Sequence, residues 1–400
     1  NGPEIDLGFE PQWIMIKRST GTGGWFMFDN MRGVSTGGND QWLRANTSDA
    51  EQAAALIDFN STGFKITNGS GDVNSGTMIY MAVRRGPLAP PEAGTEVFDT
   101  HLDTSGAQTF YTTGFPVDAM LQSYTTLSTT NNHTFPTRLM GFNSVDKSLQ
   151  TSSAAAEANI EVAEGWDSNT GFKIANEYVS SNETVHHAFR RAPSFCDVVA
   201  YSGSGGGTQV LNHNLGVTPE LVIQKSRSSG DNWTAVAKIT NTTFRKGTLN
   251  TNGSLQEVTY ATDQRFFTNF SDTTITVGND LNGSDTYIMY LFASLDGVSK
   301  VGTFSTSYSD LVVDCGFTTG ARFVLFKRVT TGNDNWDHWF VFDSARGITT
   351  SADPFLELNT TDAENTDGNN IEPHSSGFKV KSGGGLNFAN GQEIVFYAIA

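Results

Sequence analysis

Trp25, Asp29 and Arg32 stand in the stretch WFMFDNMRG, and Trp339, Asp343 and Arg346 stand at the same spacing in WFVFDSARG. An indole can stack on a pyranose ring while a carboxylate and a guanidinium hold its hydroxyls, so one reading of the trio is a sugar platform. The other reading is structural. In a strand, residues four apart share a face, which puts Trp25 beside Asp29 and leaves Arg32 in the following turn, within reach of that carboxylate. The Trp would then anchor a sheet and the Asp–Arg pair would pin the turn before Gly33 or Gly347. Recurrence at opposite ends of the chain favours the structural reading, because a single active site needs a single copy. Trp42 and Trp336 lie outside the shared strand positions, so a core needs them less. They are the aromatics expected to carry a carbohydrate site.

Other constellations point away from catalysis. No GxSxG occurs, and GSGGG at 203–207 lacks the Lys and the following helix of a phosphate loop. Asp280, Asn282, Ser284 and Asp285 place oxygens around Gly283, but the bidentate acid that a calcium loop needs is missing, so a turn is expected. TGNDNWDHW at 331–339 reads the same way. His186 and His187 are adjacent and would point to opposite faces of a strand, which does not suit one metal. His213 precedes an LG turn and is expected to cap it. Two carboxylates for glycan hydrolysis could still converge from distant strands. The expectation is no catalytic residue, no metal and no cofactor.

The elements that would position these residues recur about four times. LRANTSDAE at 43–51 returns as LELNTTDAE at 356–364 and STGFK at 61–65 as SSGFK at 375–379, an offset of 313 to 314 residues. Between them, the apolar segment ending at Lys17 has counterparts ending at Ser123, Lys225 and Lys327, spaced by 106, 102 and 102 residues. Each unit closes on an aromatic or apolar run: MIYMAV, VHHAF, YIMYLF and IVFYAIA. A period this long exceeds that of a solenoid, so four tandem units are expected, each with its own core: 1–93, 94–195, 196–298 and 299–400. Short Val-, Ile-, Phe- and Tyr-rich segments between Gly-, Asn-, Asp- and Ser-rich turns imply an all-β chain of antiparallel β-sandwiches, seven to nine strands each. YIMYLF, apolar throughout, suits a central strand covered on both sides. Helical turns are expected only at 49–57 and 152–164.

Composition excludes some partners. The net charge is −17 and no basic cluster is larger than the pairs Arg84-Arg85 and Arg190-Arg191, so phosphate backbones would be repelled and nucleic acid is not expected. No apolar stretch approaches a membrane span, so no membrane insertion is expected. Cys196 and Cys315 fall at different places in the repeat and read as isolated buried residues. The first unit has only NGPEIDL before its glycine element, which predicts a missing first strand and an open edge. Residues upstream of Asn1 are expected to cover that edge, a neighbouring subunit being the alternative.

DVVAYSGSGGGTQVLNHNLGVTPELVIQKSRSSGDNW at 197–233 resembles a module of tailed-bacteriophage structural proteins, in which a YxGxG strand precedes HxLG, a Pro, an apolar strand ending in Lys, and a Trp. The first and fourth units are similar to the same module in the form GFxPxWxxIK, WxxxDxxRG, LxxN, GFK and YMA, found in tail-fibre and other virion proteins, notably of marine phages. The second unit departs most, with HTFPTRLMGF at 133–142 in place of the Trp–Asp–Arg element. The third keeps Trp233 without the acid. The resemblance implies a non-enzymatic virion protein on the particle surface, in a tail fibre, appendage or capsid decoration. It also implies a homo-oligomer touching other virion proteins and host surface polysaccharide. A bacterial extracellular adhesin or filament, and a polysaccharide depolymerase, are the alternatives.

Overall fold

The computed structural model describes residues 2–69, 71–104, 110–126, 133–141, 147–159, 163–164, 166, 168–174, 183–260, 265–330, 337–366, 368–383 and 390–400. Its architecture is all-β, with antiparallel sheets throughout those residues. The two segments expected to be helical are extended where described: Gln52–Ala54 pairs with Asp40–Arg44, and Ala158–Asn159 with Lys147–Ser148. Helix propensity of short Ala runs is a weak preference, and a neighbouring strand that satisfies backbone N–H and C=O groups outweighs it.

Of the four intervals, called modules 1 to 4, modules 1, 3 and 4 each hold a larger sheet of five or six strands and a smaller one of three, while in module 2 the sheet of Ala119–Tyr124, Thr184–Phe189 and Phe98–Asp103 takes the larger sheet's place with three strands, beside a second three-stranded sheet and a two-stranded pair. In module 4 the larger sheet runs Ser299–Ser305, Glu393–Ile399, Phe323–Arg328, Trp339–Asp343, Leu356–Glu357, and the smaller runs Leu311–Asp314, Gly377–Val380, Ile371–His374. Phe326, Phe340, Phe378 and Phe396 fill the space between them. Module 3 packs Val222, Met289 and Phe270 in the same way, module 1 packs Ile14, Phe26 and Phe64, and module 2 packs Met120, Phe172 and Ala188. The recurring GFK has a backbone cause. Gly63, Gly171 and Gly377 open the middle strand of a three-stranded sheet in modules 1, 2 and 4, and a Cβ there would lie 2.0, 1.9 and 2.2 Å from the carbonyl oxygens of Ile5, Tyr111 and Val313. A side chain would push the strands apart.

One more core belongs to three modules at once. The outward faces of the larger sheets of modules 2, 3 and 4 meet in a single cluster that buries Phe98 and Phe189, Trp233 and Tyr290, and Trp339 and Tyr397. A private core for each unit was expected, but not a further core shared between units. Strands such as Thr286–Phe292 are instead apolar on both faces because one face is sandwich core and the other is shared core.

The junctions of this shared core repeat position by position. Glu157 N donates to the Arg227 carbonyl at 2.8 Å, Leu255 N to the Val329 carbonyl at 2.8 Å, and Glu364 N to the Thr125 carbonyl at 2.9 Å. These donors lie seven residues beyond Gln150, Thr248 and Glu357, whose carbonyls receive a second set of links. Trp233 Nε1 donates to the Gln150 carbonyl and Trp339 Nε1 to the Thr248 carbonyl, both at 2.9 Å, and the His133 imidazole faces the Glu357 carbonyl. The links pass from module 2 to 3, from 3 to 4 and from 4 back to 2. Modules 2–4 therefore close a ring of approximate threefold symmetry. Module 1 docks outside it, with Ser35 Oγ donating to the Met140 carbonyl at 3.0 Å and Arg227 Nη1 to the Thr36 carbonyl at 2.9 Å.

Candidate functional site

The Asp–Arg pair forms in both copies of the element. Arg32 donates from its backbone N and Nε to the two Asp29 oxygens at 2.7 and 2.6 Å, and Arg346 does the same to Asp343 at 2.9 and 2.6 Å. Each Arg also reaches the acid that ends the next recurring stretch, Glu51 of LRANTSDAE at 3.2 Å or Glu364 of LELNTTDAE at 3.1 Å. The turn that follows needs glycine, with φ of 102° at Gly33 and 118° at Gly347. In module 4 the element also serves the ring: His187 Nε2 of module 2 lies 3.0 Å from Asp343 Oδ2, both side chains fully buried. Burial alone would raise the Asp343 pKa, but the Arg346 guanidinium and His187 hold it well below the usual carboxylate range.

The aromatic positions divide by module. Trp25, Trp233 and Trp339 each donate their backbone N to an Asn side chain, of Asn46, Asn250 and Asn359, at 2.8, 2.9 and 3.0 Å. Trp233 and Trp339 are buried in the ring, where an indole offers no stacking face to a sugar. Trp25 is half-buried. Trp42 was expected to be needed less by the core, and the structure corrects this: it is 7 % exposed in strand Asp40–Arg44, 5.0 Å from the Phe26 ring and with the Arg44 guanidinium 5.2 Å from its centroid. It faces the sandwich because its register, opposite Phe28, alternates inward. Trp336 lies outside the described residues.

His133 fills the Trp register in module 2: Thr151 N donates to its carbonyl, as Leu249 N and Leu358 N do to those of Trp233 and Trp339. Burial, reinforced by the Arg346 charge, lowers its pKa to about 4, against the raising effect of the Glu357 carbonyl. The unfolded chain takes up a proton near pH 6.5 and the folded one does not until about 4, so stability is lost as pH falls through that window, by up to about 1.4 kcal/mol per pH unit. Replacing His133 with the Trp of the other modules removes this linkage. The stability difference between wild type and His133→Trp, measured by denaturant titration, is expected to move by more than about 1 kcal/mol in favour of the variant between pH 7.5 and 5. A pH-independent difference would contradict a buried, neutral His133.

The densest charged cluster among the described residues is one that no sequence motif marks. Where modules 1, 2 and 3 meet, Arg191 places Nη2 2.9 Å from Glu10 Oε1, Nε 3.7 Å from Asp118 and Nη1 3.6 Å from Asp197. Arg85 adds contacts to Glu10 at 3.1 Å and Asp197 at 3.6 Å, and Arg138 lies 3.6 Å from Asp118. Burial would raise the Glu10 pKa, but Arg191 and Arg85 hold it below the ordinary value. Three guanidiniums thus face three carboxylates at a buried joint. The signal was present in Arg84-Arg85 and Arg190-Arg191, which end equivalent strands and read only as small basic patches. A cleft of about 220 Å³ opens beside the hub between Asp58, Lys65 and Thr36 of module 1 and Tyr201, Gln209 and Leu211 of module 3.

The remaining motif residues hold loops. Asn282 accepts from Ser204 N at 2.7 Å and donates to the Gly206 carbonyl at 3.0 Å, so GNDLNGSD is a turn that clasps the GSGGG loop. His213 Nδ1 accepts from Leu215 N at 3.3 Å and caps the LG turn. His186 and His187 point to opposite faces, the first toward Tyr111 and Phe172 in the sandwich and the second into the ring. Cys196 and Cys315 are free and buried. Among the described residues no helix is long and apolar enough to cross a membrane.

A family model, described as a domain of unknown function, DUF7483, matches residues 1–87 and 115–400. The chain belongs to the DUF7483 family. The match leaves out only 88–114, the stretch that joins modules 1 and 2 and begins the second, so the DUF7483 unit spans docked module and ring together. No curated protein matches the chain.

Proposed function

We propose that this chain is a non-enzymatic structural protein of a tailed-phage particle, placed in a tail fibre, appendage or surface decoration. The observation that carries the reading is that the recurring residues able to do chemistry are engaged in holding modules: Trp233 and Trp339 bond across ring junctions, and Asp343 binds Arg346 and His187. Such a ring supplies a stiff polar body whose loops can vary while the shared core stays constant. Weak contact between those loops and a host-surface glycan would become firm attachment through the many copies on one particle. An acidic net charge of −17 keeps free subunits apart before assembly.

The test is to purify phage particles encoding the chain, measure its abundance in them by mass spectrometry, and label it with gold-conjugated antibody in the electron microscope. Label on fibres, tails or the capsid surface at stoichiometric abundance is expected. Absence from particles, or label along filaments on bacterial cells, would overturn the reading.

A further inference from the structure

Module 1 carries the parts of the ring, and among the described residues no neighbouring module covers its equivalent face. Matching its strands to those of module 4 through their registers puts Trp13, Met15 and Trp25 where Phe323, Leu325 and Trp339 lie, and puts Ile79, Met81 and Val83 where Val395, Tyr397 and Ile399 lie. In module 4 the last three are 2 %, 2 % and 0 % exposed, whereas Ile79, Met81 and Val83 are 49 %, 53 % and 49 % exposed. The polar halves of a junction are also in place. Glu51 stands at the position of the donors Glu157, Leu255 and Glu364, and Ser19 at that of the acceptors Thr125, Arg227 and Val329, both on exposed residues. Trp25 and the Arg44 carbonyl match Trp339 and the Thr248 carbonyl.

Every module of the ring gives at one set of positions and receives at another, so each junction is head-to-tail and the rotation closes after three. A module that holds both halves can close such a ring with copies of itself. We infer that the open face of module 1 binds two further copies of this chain, so that three module 1 faces form between chains the ring that modules 2–4 form within one. The inference gives the proposed particle protein its partner and symmetry, and rests on that reading only for its biological setting. Contacts expected across each junction are Glu51 N to the Ser19 carbonyl, Trp25 Nε1 to the Arg44 carbonyl, and Met81 against the neighbouring Val83, as Tyr397 packs on Phe292 at 4.9 Å. The assembly has three intrachain rings around one interchain ring.

Size-exclusion chromatography with light scattering on the full chain tests this. The expected mass is three times 43.2 kDa. Met81→Glu is expected to give one chain with an unchanged thermal transition, since Met81 is exposed within its own module, while Val312→Glu, at another exposed apolar site, is expected to leave the trimer intact. A wild type of one or two chains, an open-ended range of masses, or a trimer that survives Met81→Glu would overturn the inference. A single-chain mass leaves the particle reading to the gold-label experiment, and absence from particles leaves the trimer measurement standing, so the two failures are distinct.

Discussion

Asp343→Ala is expected to lower unfolding free energy by about 3–5 kcal/mol, and Asp29→Ala, the same change in the same motif, by about 1 kcal/mol or less. The difference is environment. The Arg346 and Asp343 side chains are 1 % and 0 % exposed, so removing the acid leaves a buried guanidinium with Glu364 as its remaining carboxylate and takes the acceptor from His187. Arg32 and Asp29 are 22 % and 16 % exposed, and solvent screens the loss. Guanidinium titration of both variants at pH 7 checks this. Because the folded Asp343 carboxyl is held below its ordinary value, its contribution is complete above the unfolded value near pH 4 and fades as pH falls below it. Equal costs in the two modules at pH 7 would mean that ring burial does not set the energy of the element.

Arg191→Ala is the second large expected loss, again about 3–5 kcal/mol, because it leaves Glu10, Asp118 and Asp197 buried with a reduced counter-charge. The effect falls on a joint and not on one module, since Glu10 belongs to module 1, Asp118 to module 2 and Asp197 to module 3. Limited proteolysis is therefore expected to cut faster near 88–94 in the variant, as module 1 loosens from the ring. Replacing Glu10 with Gln as well removes one of the stranded charges and is expected to recover part of the stability. A variant that keeps both its stability and its protease resistance would show that the hub contributes no net binding between modules.

The all-β class and the Asp–Arg geometry were legible because they depend on local order: strand alternation, turn residues and a fixed three-residue reach from Asp to Arg. The ring was half legible. Continuous apolar runs such as YIMYLF state that both faces of a strand are covered, but the second cover comes from residues more than a hundred positions away, and no periodicity carries that distance. Trp42 was misread because occurrence outside a shared motif was taken to mean independence from the core, while its own strand register turns it inward. The charged hub was missed for a related reason. Glu10, Asp118 and Asp197 are single acids in unlike contexts, and only docking makes them neighbours. His133 shows the reverse case, in which a lost motif in module 2 marks a position that the ring still uses.

The claim that modules 2–4 close on themselves is tested most directly by small-angle X-ray scattering on the Met81→Glu chain, where one copy is measured alone. A compact chain of this length predicts a radius of gyration of about 21 Å. That value, or one a few ångströms above it, is the result expected of a ring with module 1 docked beside it. A radius well above roughly 30 Å, as four compact modules in a line would give, would contradict the closed ring and with it the shared core.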